Sequence, residues 1–351
     1  MIELDGSMGE GGGQILRTAL SLSLITGTPF LLRNIRARRS KPGLQPQHLA
    51  AVRAASAIGQ ARVEGDAVGS ATLRFEPGRV IPGEYRFDIG TAGSAGLVLQ
   101  TVHLPLALAG APSRVSIRGG THVPWSPNVH YLDWHWRPFM ARLGLDVRLD
   151  MERAGFYPMG GGLLHADIPA SSSIHPLRLA DRGPLMAIRG LSLVARLPSS
   201  IAERQRDQTI VRLAGQGLTA HLELGELAAD SPGTVIILMA EYEHSQACFT
   251  ALGARGKRAE TVADEAVDEL FAFHASDAAL DDYLADQLML PLALAHGKSI
   301  YRARITPHAQ TNAVVIRAFL DIPMELDGTT GKVGAYRFSA GNEGISSTAA
   351  A

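Results

Sequence analysis

One histidine stands where a neutral imidazole is favoured. The segment 299–305 predicts a strand, and Thr306-Pro307-His308 then opens a predicted helix that continues to Phe319. Thr306 is a good N-cap and Pro307 a good first helical residue. His308 therefore falls in the first turn, where the positive end of the helix disfavours the imidazolium form. A neutral imidazole is what a nucleophile requires, so His308 is the candidate nucleophile, although a capped surface histidine shows the same local pattern.

A glycine cluster near the N-terminus is a candidate phosphate site. The segment Gly9-Glu10-Gly11-Gly12-Gly13-Gln14 leads into a predicted helix, whose free N–H groups can bind an anion. Glu10 could hold Mg²⁺ beside a polyphosphate, and Arg17 could fork onto phosphate oxygens. The cluster is neither a Walker A sequence nor a convincing dinucleotide fingerprint, so a plain glycine-rich turn explains it equally well. A second small-residue segment, 88–96, leads in the same way towards Gln100.

Five cations lie within nine residues after the first predicted helix. They are Arg33, Arg36, Arg38, Arg39 and Lys41, and they run through Pro42-Gly43 towards His48. The net charge of the chain is −1, which argues against a surface built for non-specific binding of nucleic acid. A local cluster in a loop can still bind one anionic group, such as a terminal phosphate. A solvated basic surface is the alternative interpretation.

Composition excludes several classes of protein. Hydrophobic residues make up 46% and charged residues 19%, so the chain can bury a large core. Cys248 is the single cysteine, which excludes an intramolecular disulfide and a cysteine metal cluster and suits a reducing compartment. The longest apolar runs fall far short of the roughly 20 residues that span a bilayer. With no secretory signal after Met1, we expect a cytoplasmic protein without a membrane partner.

An internal repeat indicates how these segments are positioned. The hexapeptide Leu-Pro-Leu-Ala-Leu-Ala occurs at 104–109 and again at 290–295, each time between a glutamine and a glycine. A looser copy follows the first glycine cluster and stops at Gly27. Each copy predicts a buried helix with a glycine C-cap. A second type of helix, followed by a strand, begins three times near a proline, at Pro46, Pro127 and Pro307.

The spacing of these prolines indicates an insertion. Pro127 follows Pro46 by 81 residues, whereas Pro307 follows Pro127 by 180, so roughly 100 residues are extra, about the size of a small domain. We therefore predict an α+β fold: repeats one and two at 1–180, an inserted small α/β domain at 181–280, repeat three at 281–340 and a flexible tail at 341–351. Chance similarity in a chain rich in leucine and alanine is the alternative.

Taken together, the segments resemble the RNA 3′-terminal phosphate cyclase family across nearly the whole chain. The matching stretches, which are specific in this order, are 5–17, 35–49, 90–100, 119–122, 155–162, 253–260, 283–287 and 308–312. The resemblance implies a large domain of three repeated two-helix, four-strand units, similar to units of enolpyruvyl transferases, with a smaller inserted domain. It also implies the reaction: ATP-dependent conversion of an RNA 3′-phosphate end to a 2′,3′-cyclic phosphate, with release of AMP and pyrophosphate.

The resemblance also implies roles for individual residues. His308 matches the histidine that becomes adenylylated, Glu10 the acid that holds Mg²⁺ or Mn²⁺, and Arg17 a phosphate-binding arginine. The positions that match the RNA end and catalysis are Arg39, Lys41 and His48. The positions that match nucleotide binding are Gln100, Tyr283, Leu284, Ala285, Asp286 and Gln287. The implied partners are ATP and RNA 3′-phosphate ends, and a homodimer is compatible with the sequence.

Three rival functions stay open at this point. A related branch of the family acts in ribosome assembly without this catalysis, but it lacks the nucleophilic histidine that this chain has at His308. An enolpyruvyl transferase shares similar repeated units but needs no such histidine. A nucleotide-binding module with no RNA role is the third, and failure to bind an RNA 3′-end would favour it.

Overall fold

The computed structural model describes residues 1–340, and the predicted flexible tail at 341–351 lies outside them. The described chain contains four four-stranded sheets, each covered by helices. The first unit contains β1 (Ile2–Asp5), α1 (Gln14–Thr26), β2 (Phe30–Arg33), α2 (Pro46–Gly59), β3 (Arg62–Glu64) and β4 (Leu73–Glu76). The second contains β5 (Glu84–Asp88), α3 (Ala95–Ala107), β6 (Ser113–Gly119), α4 (Val129–Tyr131), a π-helical turn (Leu132–Trp136), α5 (Arg137–Arg142), β7 (Arg148–Arg153) and β8 (Gly162–Ile168).

The third unit is interrupted by the fourth sheet. It begins with β9 (Arg178–Leu179), which lies inside the span predicted for repeats one and two. The inserted unit follows with β10 (Leu185–Ala195), α6 (Ser199–Ala214), β11 (His221–Glu226), β12 (Gly233–Tyr242), β13 (Gln246–Leu252) and α7 (Ala259–His274). The third unit then resumes with α8 (Asp282–Gln287), α9 (Met289–Leu294), β14 (Gly297–Arg304), α10 (Pro307–Phe319), β15 (Met324–Asp327) and β16 (Val333–Ala340).

Three of the sheets share one topology. Their strand orders are β1-β2-β4-β3, β5-β6-β8-β7 and β9-β14-β16-β15. In each, the first two strands are parallel and are joined through a helical crossover, and the other pairs are antiparallel. A parallel pair needs such a crossover, which places a helix on the sheet. The predicted α+β class, with three repeated two-helix, four-strand units, is confirmed.

The inserted sheet has a different order, β11-β10-β12-β13. Successive side chains of a strand point to opposite faces, and β12 uses both faces for packing. Ile236, Leu238 and Ala240 pack in a core formed by the inserted unit alone. Val235 and Ile237 face the other way, into the large core shared by the three repeated units. The insert is therefore packed against the repeats as well as on its own helices.

The helix ends agree only partly with the predicted glycine caps. Gly27 caps α1 in the left-handed conformation, with a φ of 69°. In contrast, α3 ends at Ala107 and α9 at Leu294, so Gly110 lies in the turn that follows and Gly297 is already the first residue of β14. Those two caps were wrong, because other residues complete the last turn before each glycine is reached. Among the described residues, no helix is both long and apolar enough to cross a membrane.

A buried polar cluster joins the second and third units. Asp281 caps α8, accepting hydrogen bonds from the N–H groups of Tyr283 (3.1 Å) and Leu284 (3.0 Å). Its carboxylate also lies 2.5 Å from His135 Nε2 and accepts from the Tyr131 hydroxyl at 3.3 Å. Since His135 belongs to the π-helical turn, this one carboxylate fixes α8 against the second unit.

We expect Asp281→Ala to destabilise the protein by about 3–5 kcal/mol, because it leaves buried donors without a partner. Urea unfolding measures the change in free energy. Asp277→Ala is the matched control: Asp277 is 63% exposed and pairs with Arg302, so its loss should cost no more than about 1 kcal/mol. Equal destabilisation by the two variants would contradict this role of Asp281.

Candidate active site

The site lies where the first glycine loop meets the N-terminus of α10. Gly9 has a φ of 54°, and a Cβ built there would lie 2.1 Å from Thr311 Oγ1, so a larger residue would push the two elements apart. Behind this contact, Thr18 on α1 donates a hydrogen bond to Asn312 Oδ1 on α10 at 2.9 Å. Residues from opposite ends of the chain are thereby held side by side.

His308 occupies the first turn of α10, as predicted from the sequence. Thr306 caps the helix by accepting a hydrogen bond from the N–H of Ala309 at 3.0 Å. The imidazole is about half exposed. Its Nδ1 lies 2.8 Å from Gln14 Oε1, and its Nε2 lies 2.9 Å from Glu10 Oε2. Both ring nitrogens therefore contact residues of the glycine loop and α1.

A line of three side chains fixes the protonation of His308 Nδ1. Gln14 Nε2 donates to Asp286 Oδ2 at 2.5 Å, so the amide oxygen of Gln14 must face His308. An oxygen acceptor at this position requires a proton on Nδ1. In the neutral imidazole the lone pair then belongs to Nε2. A hydrogen bond from Nε2 to Glu10 requires a second proton, on Nε2, which occupies the lone pair. Nε2 can therefore attack only after Glu10 has taken another partner and this proton has left.

Asp286 is itself partly buried and held from several sides. Asn312 Nδ2 donates to its Oδ1 at 3.0 Å and to its backbone oxygen at 3.2 Å. Burial raises the pKa of Asp286 above its ordinary value, and His308, Asn312, Gln14 and Arg17 act in the opposite direction. The carboxylate thus orients the Gln14 amide while contributing negative charge behind the nucleophile.

Arg17 provides a partly buried cation beside this line. Burial lowers its pKa to about 10, with Asp286 opposing the shift, so the guanidinium remains charged at neutral pH. A partly buried arginine that lines a cavity is suited to a phosphate or another anion.

His48 is buried next to Arg17 and is neutral. Its Nδ1 accepts a hydrogen bond from the backbone N–H of Gln45 at 3.1 Å. Burial, Arg17 and Arg36 lower the pKa of His48 to about 3. With Nδ1 accepting, the proton of the neutral ring is on Nε2, and a Cβ at Gly13 would lie 2.5 Å from that atom. His48 therefore presents an N–H donor to the glycine loop, which suits a phosphate oxygen better than proton abstraction does.

The neutral buried histidines predict a loss of stability in acid. Burial lowers the pKa of His103 to about 4 and that of His122 well below 6.5, as it lowers that of His48. Below about pH 6.5 the unfolded chain binds protons that the folded chain does not. The free energy of unfolding should therefore have its full value above pH 6.5. It should fall towards pH 4, by roughly 1.4 kcal/mol per pH unit for each histidine.

Urea unfolding from pH 7 to pH 4.5 or so measures this slope. His103→Phe is the informative variant, because it preserves an aromatic contact with Trp136 and removes one titrating group. Its slope should be shallower than that of the natural chain. A free energy of unfolding that stays flat down to pH 5 or so would contradict the neutral state of these histidines.

Only part of the basic stretch 33–41 lies at the site. Arg39 forms an ion pair with Glu10 at 3.5 Å, and its Nη2 lies 3.6 Å from the position of a Cβ on Gly12. Lys41 is exposed, and its backbone oxygen accepts from the Arg36 guanidinium. Arg39 therefore lies at the glycine loop, whereas the Lys41 side chain extends into solvent beside it.

A cavity of about 110 Å³ opens behind the nucleophile. Its lining includes Arg17, Gln100, Trp136, Asp286, Gln287 and Pro291. Gln100 Nε2 and Gln287 Oε1 are buried and have no hydrogen-bond partner among the described residues. An unsatisfied buried polar group costs roughly 1–3 kcal/mol, so a ligand with matching groups would relieve both. Adenine offers ring nitrogens as acceptors and an amino group as a donor.

The run 283–287 reaches this cavity only at its end. Asp286 and Gln287 line it, whereas the side chains of Leu284 and Ala285 are buried in the main core. Tyr283 is 61% exposed on the outer side of α8. A helix directs neighbouring side chains to different faces, which separates these predicted nucleotide-binding residues.

The sequence interpretation assigned no role to Gln14, although Gln14 links the Asp286 carboxylate to the nucleophile. The one available signal was an amide directly after a glycine turn, at the first residue of a helix. Gln47 was also missed; its Oε1 accepts a hydrogen bond from the N–H of Ser94 at 3.3 Å and joins the start of α2 to the second small-residue segment. Within residues 1–340, no group of three His, Cys, Asp or Glu side chains is arranged to hold a metal.

The chain is similar to known proteins over most of its length. Residues 8–326 match the family model described as RNA 3′-terminal phosphate cyclase. Proteins of that name from Methylococcus capsulatus and Ralstonia nicotianae are 49% and 46% identical to it. The first alignment covers 91% of both chains, and the second covers 92% of both. A relative from Gloeothece citriformis is 44% identical over 91% of this chain and 93% of its own.

Among solved structures, the enolpyruvyl transferase NikO from Streptomyces tendae overlaps 48% of this chain and 33% of its own, at 16% identity and a TM-score of 0.28. That overlap is too small to establish a common fold. The family model and the curated relatives, in contrast, each span nearly the whole chain. The family predicted from the sequence motifs is confirmed: the chain belongs to the RNA 3′-terminal phosphate cyclase family.

Proposed function

We propose that this protein uses ATP to convert an RNA 3′-terminal phosphate into a 2′,3′-cyclic phosphate, with His308 Nε2 as the nucleophile. The observation that carries this assignment is the line Asp286–Gln14–His308, which leaves the lone pair of a neutral imidazole on Nε2. Family membership supports the overall reaction. The geometry supports the assignment of the individual residues.

In the first step Nε2 attacks the α-phosphorus of ATP. A nitrogen–phosphorus bond forms, and the bond from the α-phosphorus to the bridging oxygen of pyrophosphate breaks, with its electrons leaving on pyrophosphate. The adenine would occupy the cavity beside Gln100 and Gln287, whose unpaired groups suit a base with both donors and acceptors. Arg17, at the same cavity, would neutralise charge on the phosphates.

Glu10 fits the role of a ligand for a magnesium ion that enters bound to the substrate. Mg²⁺ or Mn²⁺ would neutralise the polyphosphate, and it prefers one or two carboxylates plus substrate phosphates to an all-protein cage. The lack of a cluster of three ligands among residues 1–340 is compatible with that mode. With a cation bound, Glu10 would no longer accept from His308 Nε2, which lies 2.9 Å away, and Nε2 would release its proton to solvent and present its lone pair.

The remaining steps take place on the RNA end. An oxygen of the 3′-phosphate attacks the adenylate, and the bond to His308 breaks. The neighbouring 2′-hydroxyl oxygen then attacks the 3′-phosphorus, losing its proton as AMP leaves. Such an intramolecular attack can have an effective molarity of roughly 10⁵ M or more. Arg39, Lys41 and the Nε2–H of His48 would hold the terminal phosphate.

Three finer assignments belong to the same proposal. We propose Mg²⁺ or Mn²⁺ as the metal, on the basis of Glu10 and a polyphosphate substrate. A cytoplasmic location is supported by the single, buried Cys248, which suits a reducing compartment. A homodimer is compatible with the chain, and sedimentation at several concentrations would test it.

The reaction is tested with a short RNA that ends in a 3′-phosphate. We expect ATP and Mg²⁺ to convert it to a cyclic end that resists phosphatase. An RNA with a 2′-deoxy terminal nucleotide is the control: it should be adenylylated but not cyclised, because the attacking hydroxyl is missing. RNA binding without any covalent adenylate on the protein would overturn the proposal in favour of a non-catalytic RNA-binding role.

A further inference from the structure

Two neighbouring loops carry exposed apolar side chains at their tips. The first loop closes where the N–H of Val129 donates to the oxygen of Thr121 at 3.2 Å, and Trp125 lies at its tip. The second closes where the N–H of Gly160 donates to the oxygen of Phe156 at 2.7 Å, with residues 157–159 at its tip. Trp125 is fully exposed, and Tyr157 and Met159 are 70% and 62% exposed.

The bases of these two loops are joined to each other. The N–H groups of Thr121 and His122 both donate to the oxygen of Gly155, at 2.9 and 3.0 Å. The rings of His122 and Phe156 stack with centroids 5.1 Å apart. The Thr121 hydroxyl in turn accepts from the N–H of Gly155 at 2.8 Å. Both tips therefore project from one rigid base, and we call them the paired loops.

The paired loops are continuous with the active site. A Cβ on Gly120 would lie 2.5 Å from the oxygen of Ala92, and one on Gly160 would lie 2.8 Å from the Cα of Ala92. A Cβ on the next residue, Gly93, would lie 3.1 Å from the Cβ of Gln47, which precedes His48. Backbone contacts thus lead without interruption from the proposed phosphate-binding histidine to the base of the paired loops.

Three large apolar side chains exposed on neighbouring loop tips form a patch of the kind that marks an interaction site. Trp125 also has a φ of 63°, a conformation that bulky residues rarely adopt. Strain of this kind persists where the surrounding structure over-determines it, and it is concentrated at sites that bind ligands. Flat aromatic faces bind single-stranded nucleic acid by stacking on its bases, whatever the base sequence.

We propose that the paired loops form a stacking surface for the bases that precede the terminal nucleotide of the RNA substrate. The proposal rests on the proposed function, since it requires an RNA end at the site. Trp125 and Tyr157 stack on these bases, and Met159 packs against their edges. The phosphate is held at Arg39 and His48, and the paired loops guide the rest of the strand.

The test compares RNA binding with adenylylation in the full-length chain. The probe is a 3′-phosphorylated dodecamer, with its affinity measured by fluorescence anisotropy. We expect Trp125→Ala and Tyr157→Ala each to weaken binding about tenfold, while the formation of the protein–AMP adduct from ATP is unchanged. Trp125→Phe should restore most of the affinity because it retains an aromatic face. Met186→Ala removes an exposed methionine on the inserted unit and is the matched control.

A second arm identifies the bases as the partner. A dodecamer with abasic sugars in place of the second and third bases from its 3′-end should bind the natural protein at least as weakly as Trp125→Ala binds intact RNA. Trp125→Ala should then cause no further loss with the abasic RNA. If Trp125→Ala binds with unchanged affinity a dodecamer that the natural chain cyclises, the stacking surface is overturned while the proposed function stands. A change in oligomeric state in place of RNA affinity would also overturn it, in favour of a protein interface.

Discussion

Replacing His308 with alanine is expected to abolish the covalent protein–AMP adduct. Gln14 and Asp286 hold the proton of the neutral imidazole on Nδ1, which places the lone pair on Nε2, and no second residue has this arrangement within residues 1–340. Loss of a nucleophile in a covalent mechanism costs at least roughly 10⁴-fold in rate. The measurement is the label from α-labelled ATP that stays on the denatured polypeptide, together with its acid lability and base stability.

His308→Asn extends this test, because asparagine preserves a polar side chain at the helix start but provides no nucleophilic nitrogen. Gln310→Ala is the matched control on the same helix, since Gln310 contacts Thr330 and lies outside the site. The control should form the adduct at the natural rate. An adduct of natural size and stability on His308→Ala would disprove the assignment and require another nucleophile.

Replacing Gln14 with methionine is expected to slow adenylylation roughly 10²-fold with little change in KM for ATP. Methionine has a similar length, but it is only a weak acceptor for the N–H of His308 Nδ1 and cannot donate to Asp286. The imidazole then loses the contact that selects its tautomer, so Nε2 is protonated in a larger share of molecules. The rate of adduct formation in a single turnover separates this effect from changes in ATP binding.

Two further measurements distinguish positioning from general damage to the site. The ¹⁵N chemical shifts of His308 report which nitrogen carries the proton, and they should show Nδ1–H in the natural chain but a mixture in Gln14→Met. Asp286→Asn, which permits the Gln14 amide to turn, should cause a related loss. If Asp286, Gln14 and His308 act as a unit, the fold loss in adenylylation rate of the double variant Gln14→Met with Asp286→Asn will be much smaller than the product of the two single losses. A loss in the double variant equal to the product of the two single losses would contradict this joint role of the three side chains.

The sequence by itself determined those features that depend on neighbouring residues. Threonine and proline before His308 favour a helix start, and α10 begins there. The repeated prolines and the recurring hexapeptide predicted three related units, and three sheets share one strand order. Local capping and spacing act over one or two turns, so they can be recognised without knowledge of the fold. The ordered motifs likewise sufficed to identify the family, which the family model confirms.

The tertiary structure alone decided which residues meet and what their environment does to them. Gln14 lies 294 residues from His308 and 272 from Asp286 in sequence, so no local pattern reveals their hydrogen bonds. The pKa of His48, lowered to about 3, follows from burial beside Arg17. Leu284 and Ala285 face the core and not the cavity, because packing sets the rotation of α8.

Contacts between distant residues also explain why the paired loops could not be recognised from the sequence motifs. The stretches 119–122 and 155–162 matched the family motifs, but nothing in the sequence indicated that they contact each other. Packing of the second unit brings the two loops together on Ala92, and it leaves Trp125 and Tyr157 exposed beside the site. Residue type and spacing therefore specified the chemistry that is available, whereas long-range contacts specified its geometry, because burial and hydrogen bonding between distant segments exist only in the folded chain.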